Sequence, residues 1–121
     1  MQNQRSVLIV DESDETREVL RTVLERRGMR IFSARRAQRG LELARRHHPD
    51  LIVLDLELDD SAPESLSNRF AEQSEAQPTP LVMLGSVRRP ADGIPNGEFL
   101  AKPYHYGTLI RRIEKLLDTI P

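Results

Sequence analysis

The sequence predicts an α/β domain in which a parallel sheet carries helices on both faces. Short, uninterrupted aliphatic runs recur at Val7-Leu8-Ile9-Val10, Leu51-Ile52-Val53-Leu54 and Leu81-Val82-Met83-Leu84, the pattern of strands buried on both sides. Between them, apolar residues return with the helical period. Strands alternating with helices close through right-handed crossovers into one parallel sheet. The 121 residues, 38% hydrophobic and 31% charged, make about one domain of ordinary globular balance.

The first strand, Ser6 to Val10, stops at Asp11. Ser13 is placed to cap the next helix, and Asp14 and Glu15 fill its first turn, where the helix dipole favours anions. Val19, Leu20, Val23 and Leu24 share one face of it before Gly28 ends it. Met29 to Ala34 reads as a second strand, and Ala37, Leu41 and Ala44 mark a second helix stopped by Pro49. Asp50 to Asp55 repeats the first pattern and again ends in an acid. Residues 62–74 form a polar third helix anchored by Leu66 and Phe70, after which Gln77-Pro78-Thr79-Pro80 turns the chain into a fourth strand, Leu81 to Leu84. Gly97 to Ala101 is the fifth strand. The last helix runs from His105 to Asp118, with Leu109, Ile110, Ile113, Leu116 and Leu117 facing inward. Residues 85–96 contain Gly85, Pro90, Gly93, Pro95 and Asn96, too short and too broken for a regular helix with its loops, and predict a loop or a single turn.

Composition removes several classes of function. No apolar run approaches the roughly 18 residues of a membrane span, and the N-terminus offers no secretory apolar stretch before Asp11, so a cytoplasmic protein is expected. The chain has no cysteine, which excludes disulfides, thiolate nucleophiles and cysteine zinc sites. Its net charge is −1, and residues 51–87 carry Arg69 alone against seven acids. Such a balance gives no drive toward nucleic acid, which usually shows as a basic stripe.

In parallel sheets of this kind, ligands bind beyond the carboxyl ends of the strands, where strand order reverses. Asp11, Glu12 and Asp55 fall there. Acids before a helix N-terminus also suit the dipole by themselves, and a lone lysine is usually a solvated one. Asp55 at the end of a buried run and Lys102-Pro103 at the end of the fifth strand tip the reading toward a site. His47-His48 carries little weight as a metal pair, because adjacent helical residues do not share a face. The scattered arginine pairs read as solvated faces, with Arg111-Arg112 the best candidate for a partner contact.

Val7-Leu8-Ile9-Val10-Asp11-Glu12, Pro49-Asp50-Leu51-Ile52-Val53-Leu54-Asp55-Leu56 and Ala101-Lys102-Pro103-Tyr104, in this order and at these separations, resemble the receiver domains of two-component response regulators. The resemblance covers essentially the whole chain, 1–121, as a single domain. It implies a doubly wound, flavodoxin-like sheet of five strands in the order 2-1-3-4-5, with the fourth helix shortened or absent. It further implies that Asp55 accepts a phosphoryl group from a histidine kinase or phosphotransfer protein, forming an acyl phosphate. Asp11, Glu12, Asp55 and the backbone carbonyl of Glu57 would hold one Mg²⁺, a hard cation suited to oxygen ligands. Lys102 would contact the phosphoryl oxygens, and the Lys102-Pro103 peptide would be cis. A stand-alone module of this kind would signal through a downstream protein, with homodimerisation open, and would be no conventional enzyme beyond self-phosphorylation and autodephosphorylation.

The chain also departs from the family. Gly85 stands where a Ser or Thr usually donates a hydroxyl; Ser86 follows, and could replace it only if the strand end twists, since adjacent strand residues face opposite ways. Glu12 replaces the usual Asp, and a longer arm must fold back to reach the same ion. Glu57, Asp59 and Asp60 add acids to the loop after the third strand. Phe99 aligns with the family's aromatic switch residue, and with Gly85 leaving space beside it, the ring is expected to stay inward regardless of phosphorylation. These departures support an alternative, a phosphorylation-independent pseudo-receiver acting as an interaction or dimerisation module.

Overall fold

The elements run β1 (Ser6–Val10), α1 (Asp14–Arg26), β2 (Arg30–Ala34), α2 (Ala37–His47), β3 (Leu51–Asp55), β4 (Leu81–Gly85), β5 (Gly97–Ala101) and a C-terminal helix (Tyr106–Asp118). The computed structural model describes residues 4–58, 68–70, 79–86 and 97–120. The five strands form one sheet in the order β2-β1-β3-β4-β5, every pairing parallel. No helix among the described residues is long and apolar enough to cross a membrane.

Strand alternation divides the core in two. Leu8 and Val10, Ile52 and Leu54, and Leu81 and Met83 face α2 and Phe70, whereas Val7 and Ile9, Leu51 and Val53, and Val82 and Leu84 face α1 and the C-terminal helix. The aliphatic runs are continuous because both faces are covered. The C-terminal helix buries Leu109, Ile110, Ile113 and Leu117 on the second face and lays Leu116 at its margin.

Local chemistry sets the helix ends. Ser13 Oγ accepts from the Thr16 N–H at 3.1 Å, capping α1 as its type and position predict. Gly28, at φ +88°, makes the left-handed turn into β2. At the end of α2 this turn is made by His48, at φ 46°, followed directly by Pro49. The His47 ring instead stacks on Phe32 with centroids 4.1 Å apart, and the Arg30 guanidinium covers the same phenyl ring 5.2 Å from its centroid. The two histidines thus serve α2 packing and termination.

Gly40 is a packing residue that helical periodicity passes over. A Cβ there would lie 2.8 Å from Val10 Cγ2 and 3.1 Å from Phe70 Cζ, so α2 approaches β1 as closely as it does only because the side chain is missing. Residues 68–70 are helical and Phe70 is fully buried, in keeping with the third helix predicted over 62–74; Leu66 lies outside the described residues. So do residues 87–96, where a loop replaces the fourth helix in the sequence reading.

Candidate functional site

Asp11 and Asp55 emerge side by side at the carboxyl ends of β1 and β3, because Val10 is in register with Leu54. They are 3% and 5% exposed, and with Thr16 they are the buried polar residues among those described. Each folds its carboxylate back on the backbone two residues ahead: Ser13 N–H donates to Asp11 Oδ1 at 2.8 Å, and Glu57 N–H to Asp55 Oδ1 at 2.9 Å. Neither Oδ2 accepts a hydrogen bond from a described residue. Burial pushes the Asp11 carboxyl above the ordinary aspartate range; the Ser13 N–H opposes this, and the nearby Asp55 charge adds to it.

Lys102 comes to the same cleft from the end of β5, where its N–H bonds to the Gly85 carbonyl at 2.9 Å. The Lys102-Pro103 peptide is cis. The ammonium lies 2.9 Å from Asp55 Oδ1 and 3.0 Å from Glu57 Oε1. Burial alone would lower its pKa, but the hydrogen bonds to Asp55 and Glu57 outweigh that and hold it above the usual lysine value. Lys102 is therefore a cation at neutral pH.

The side chain of Glu57, which sequence reasoning considered only as added negative charge in the loop, is part of this arrangement. Its Oε1 accepts from Ser86 Oγ at 3.1 Å, and the hydrogen bonds from Lys102 and Ser86 lower its pKa. Ser86, the residue after Gly85, thus lines the cleft with its hydroxyl on Glu57. Glu12 lines the cleft but is exposed, and its carboxylate makes no hydrogen bond or ion pair with a described residue. Phe99 is half-buried, and its Cε2 lies 3.4 Å from where a Gly85 Cβ would stand.

Sequence reasoning also missed three supports. The Arg17 guanidinium donates to the carbonyls of Asp11 and Glu12 at 2.7 and 3.1 Å and pairs with Asp14, bracing the acidic turn. Its spacing of three from Asp14 on a helix was the signal available. Tyr106 OH meets Thr16 Oγ1 at 3.3 Å, tying α1 to the C-terminal helix. Tyr104 lines the cleft, its phenol pushed up to about 12 by burial and by the Asp11 charge.

Among the described residues, no three acidic or imidazole side chains converge as a ready-made metal cage. The donor set is two buried carboxylates from adjacent strand ends, each with an uncommitted oxygen. Mg²⁺ commonly takes one or two carboxylates and keeps several waters, so Asp11 and Asp55 suit it.

The family model for the response regulator receiver domain matches residues 7–114. The chain belongs to this family. It is a receiver domain of two-component response regulators, with the flavodoxin-like fold that the strand order displays. The KDP operon transcriptional regulatory protein KdpE of Escherichia coli K12 is 35% identical over 117 residues, covering 93% of the receiver domain and 51% of KdpE. Transcriptional regulatory protein SrrA of Staphylococcus aureus NCTC 8325 is 29% identical over 116 residues, 92% of this chain and 47% of SrrA. The chain thus spans about half the length of these curated relatives. Among solved structures, chemotaxis protein CheY4 of Vibrio cholerae shares the receiver fold at TM-score 0.77 and 21% identity, covering 94% of this chain and 99% of that one. A two-component response regulator from Clostridium difficile does so at TM-score 0.79 and 21% identity, covering 96% and 98%.

Proposed function

We propose that this receiver domain accepts a phosphoryl group on Asp55 from the phosphohistidine of a histidine kinase or phosphotransfer protein and passes the signal to a downstream protein. The observation that carries the reading is the state of the Asp55 carboxylate. One oxygen is fixed by the Glu57 N–H and Lys102 at 2.9 Å each, while the other accepts no hydrogen bond from a described residue, and Asp55 lines the cleft. In the transfer, the P–N bond of the donor breaks with its electron pair left on the imidazole, and an Asp55 oxygen forms the new P–O bond.

Asp11 and Asp55, with Glu12 lining the same cleft and the backbone carbonyl of Glu57 as a further candidate, are the groups that would hold Mg²⁺. When bound, it supplies the countercharge that neighbouring carboxylates need beside an anionic phosphoryl group. Lys102 adds a fixed positive charge on the other side of Asp55. Ser86 offers a hydroxyl where Gly85 has none, and Phe99 stays against Gly85 whether or not Asp55 is modified. The added charge, about −1.5 to −2, acts on the ends of β3 and β4 and on the face made by β5 and the C-terminal helix, through which the signal leaves.

Addition of Mg²⁺ and beryllofluoride to ¹⁵N-labelled protein tests this. Amide shifts around residues 11–13, 55–57, 86 and 102 are expected, and they should vanish in Asp55→Asn. A spectrum unchanged by the phosphoryl mimic would count against the reading.

A further inference from the structure

The Glu57 carboxylate holds two groups that a phosphoryl group on Asp55 would need. Its Oε1 lies 3.0 Å from the Lys102 ammonium and 3.1 Å from the Ser86 hydroxyl. Its own backbone N–H is anchored to Asp55 Oδ1 at 2.9 Å, so the residue is tied to the acceptor at one end and closes over Lys102 and Ser86 at the other. Lys102 has three ammonium donors, and the two carboxylates already engage it. Oxygen for oxygen, a carboxylate offers these donors the same acceptor chemistry as a phosphoryl group, with less charge.

We infer that the Glu57 side chain is a resident occupant of the phosphoryl-binding seat, a built-in competitor that gives up Lys102 and Ser86 to an incoming phosphoryl group. The inference rests on the reading of Asp55 as phosphoacceptor and adds what sets its rate. Glu57 is 45% exposed at its side chain, and exposed ion pairs are weak and easily exchanged. The competitor therefore slows entry without barring it. A phosphoryl group, with about twice the charge of a carboxylate, displaces Glu57 from Lys102 once it arrives, and the freed side chain turns to solvent.

The test compares wild type, Glu57→Ala and Glu57→Gln in two measurements. Acetyl phosphate with Mg²⁺ gives the rate of adduct formation at Asp55 by intact mass. The chain has two lysines, Lys102 and Lys115, so side-chain ¹⁵N spectra of metal-free protein contain two ammonium signals, one reporting on the Glu57 contact. The expected result is a rate roughly two- to fivefold higher in Glu57→Ala, with Glu57→Gln between, and a displaced Lys102 signal in both variants. An adduct in Glu57→Ala with none in wild type supports the inference more strongly. Equal or slower rates in Glu57→Ala overturn it while leaving Asp55 as acceptor. No adduct in any protein overturns the Asp55 reading, and this inference with it.

Discussion

The Lys102 ammonium lies 2.9 Å from Asp55 Oδ1, joining residues 47 positions apart in the chain. The pair forms because β5 runs in register with β4, which places Lys102 beside Gly85, and β4 in turn borders β3, which ends at Asp55. A cation is thereby fixed beside the Asp55 carboxylate by the pairing of the strands.

Replacing Lys102 by Ala removes that charge. Adduct formation at Asp55 with acetyl phosphate is expected to slow by roughly tenfold or more, since a preorganised electrostatic partner in a phosphoryl-transfer site commonly carries that much. Lys102→Arg should restore only part of the rate, because the planar guanidinium cannot replace a point ammonium between two carboxylates. Intact-mass kinetics with a fold check by circular dichroism would decide it.

Asp11 gives a pH prediction. Its folded-state pKa is raised above 3.8, first by burial. A carboxyl raised on folding contributes stability below its unfolded pKa and loses it as pH climbs through the folded value. Asp11→Asn should therefore raise the melting temperature of metal-free protein at pH 7 by a few degrees, an advantage that shrinks as pH falls toward 4. Excess Mg²⁺ should stabilise wild type and have less effect on Asp11→Asn.

Gly40→Ala tests the packing of α2 on β1. Alanine ordinarily improves a helix by about 1 kcal/mol over glycine. Here the new methyl would lie 2.8 Å from Val10 Cγ2, on a β-branched side chain that is fully buried and has few alternative rotamers. A net destabilisation of about 1–3 kcal/mol is expected, read by urea unfolding; a stabilised variant would mean that the interface yields.

Phe99 is one of three phenylalanines, so ¹⁹F-Phe labelling gives a separable signal for it. With the ring already against Gly85, beryllofluoride should leave that signal nearly unmoved in wild type. In Gly85→Thr, whose side chain enters space bordered by Phe99 at 3.4 Å, the ring should be pushed outward and then respond to the mimic. A large response in wild type would show a mobile switch.

Much of this architecture was legible in the chain because it rests on local rules. Aliphatic runs identified β1, β3 and β4, Ser13 identified its own cap, and the strand-end acids pointed to the cleft by topology alone. Gly40 was not legible because its meaning is a distance between α2 and β1, which periodicity does not encode. The Glu57 contacts were not legible for a related reason: they follow from where β4 and β5 bring Ser86 and Lys102, both distant in sequence. Alternation alone leaves the side that Ser86 faces open, because Gly85 is the last residue of β4 and the strand period ends with it.

The most direct measurement is incubation of wild type and Asp55→Asn with acetyl phosphate, with and without Mg²⁺, followed by intact mass spectrometry. A gain of one phosphoryl group in wild type that requires Mg²⁺ and disappears in Asp55→Asn is the predicted result. No gain under any condition, or an equal gain in Asp55→Asn, would contradict the assignment of Asp55 as the phosphoacceptor.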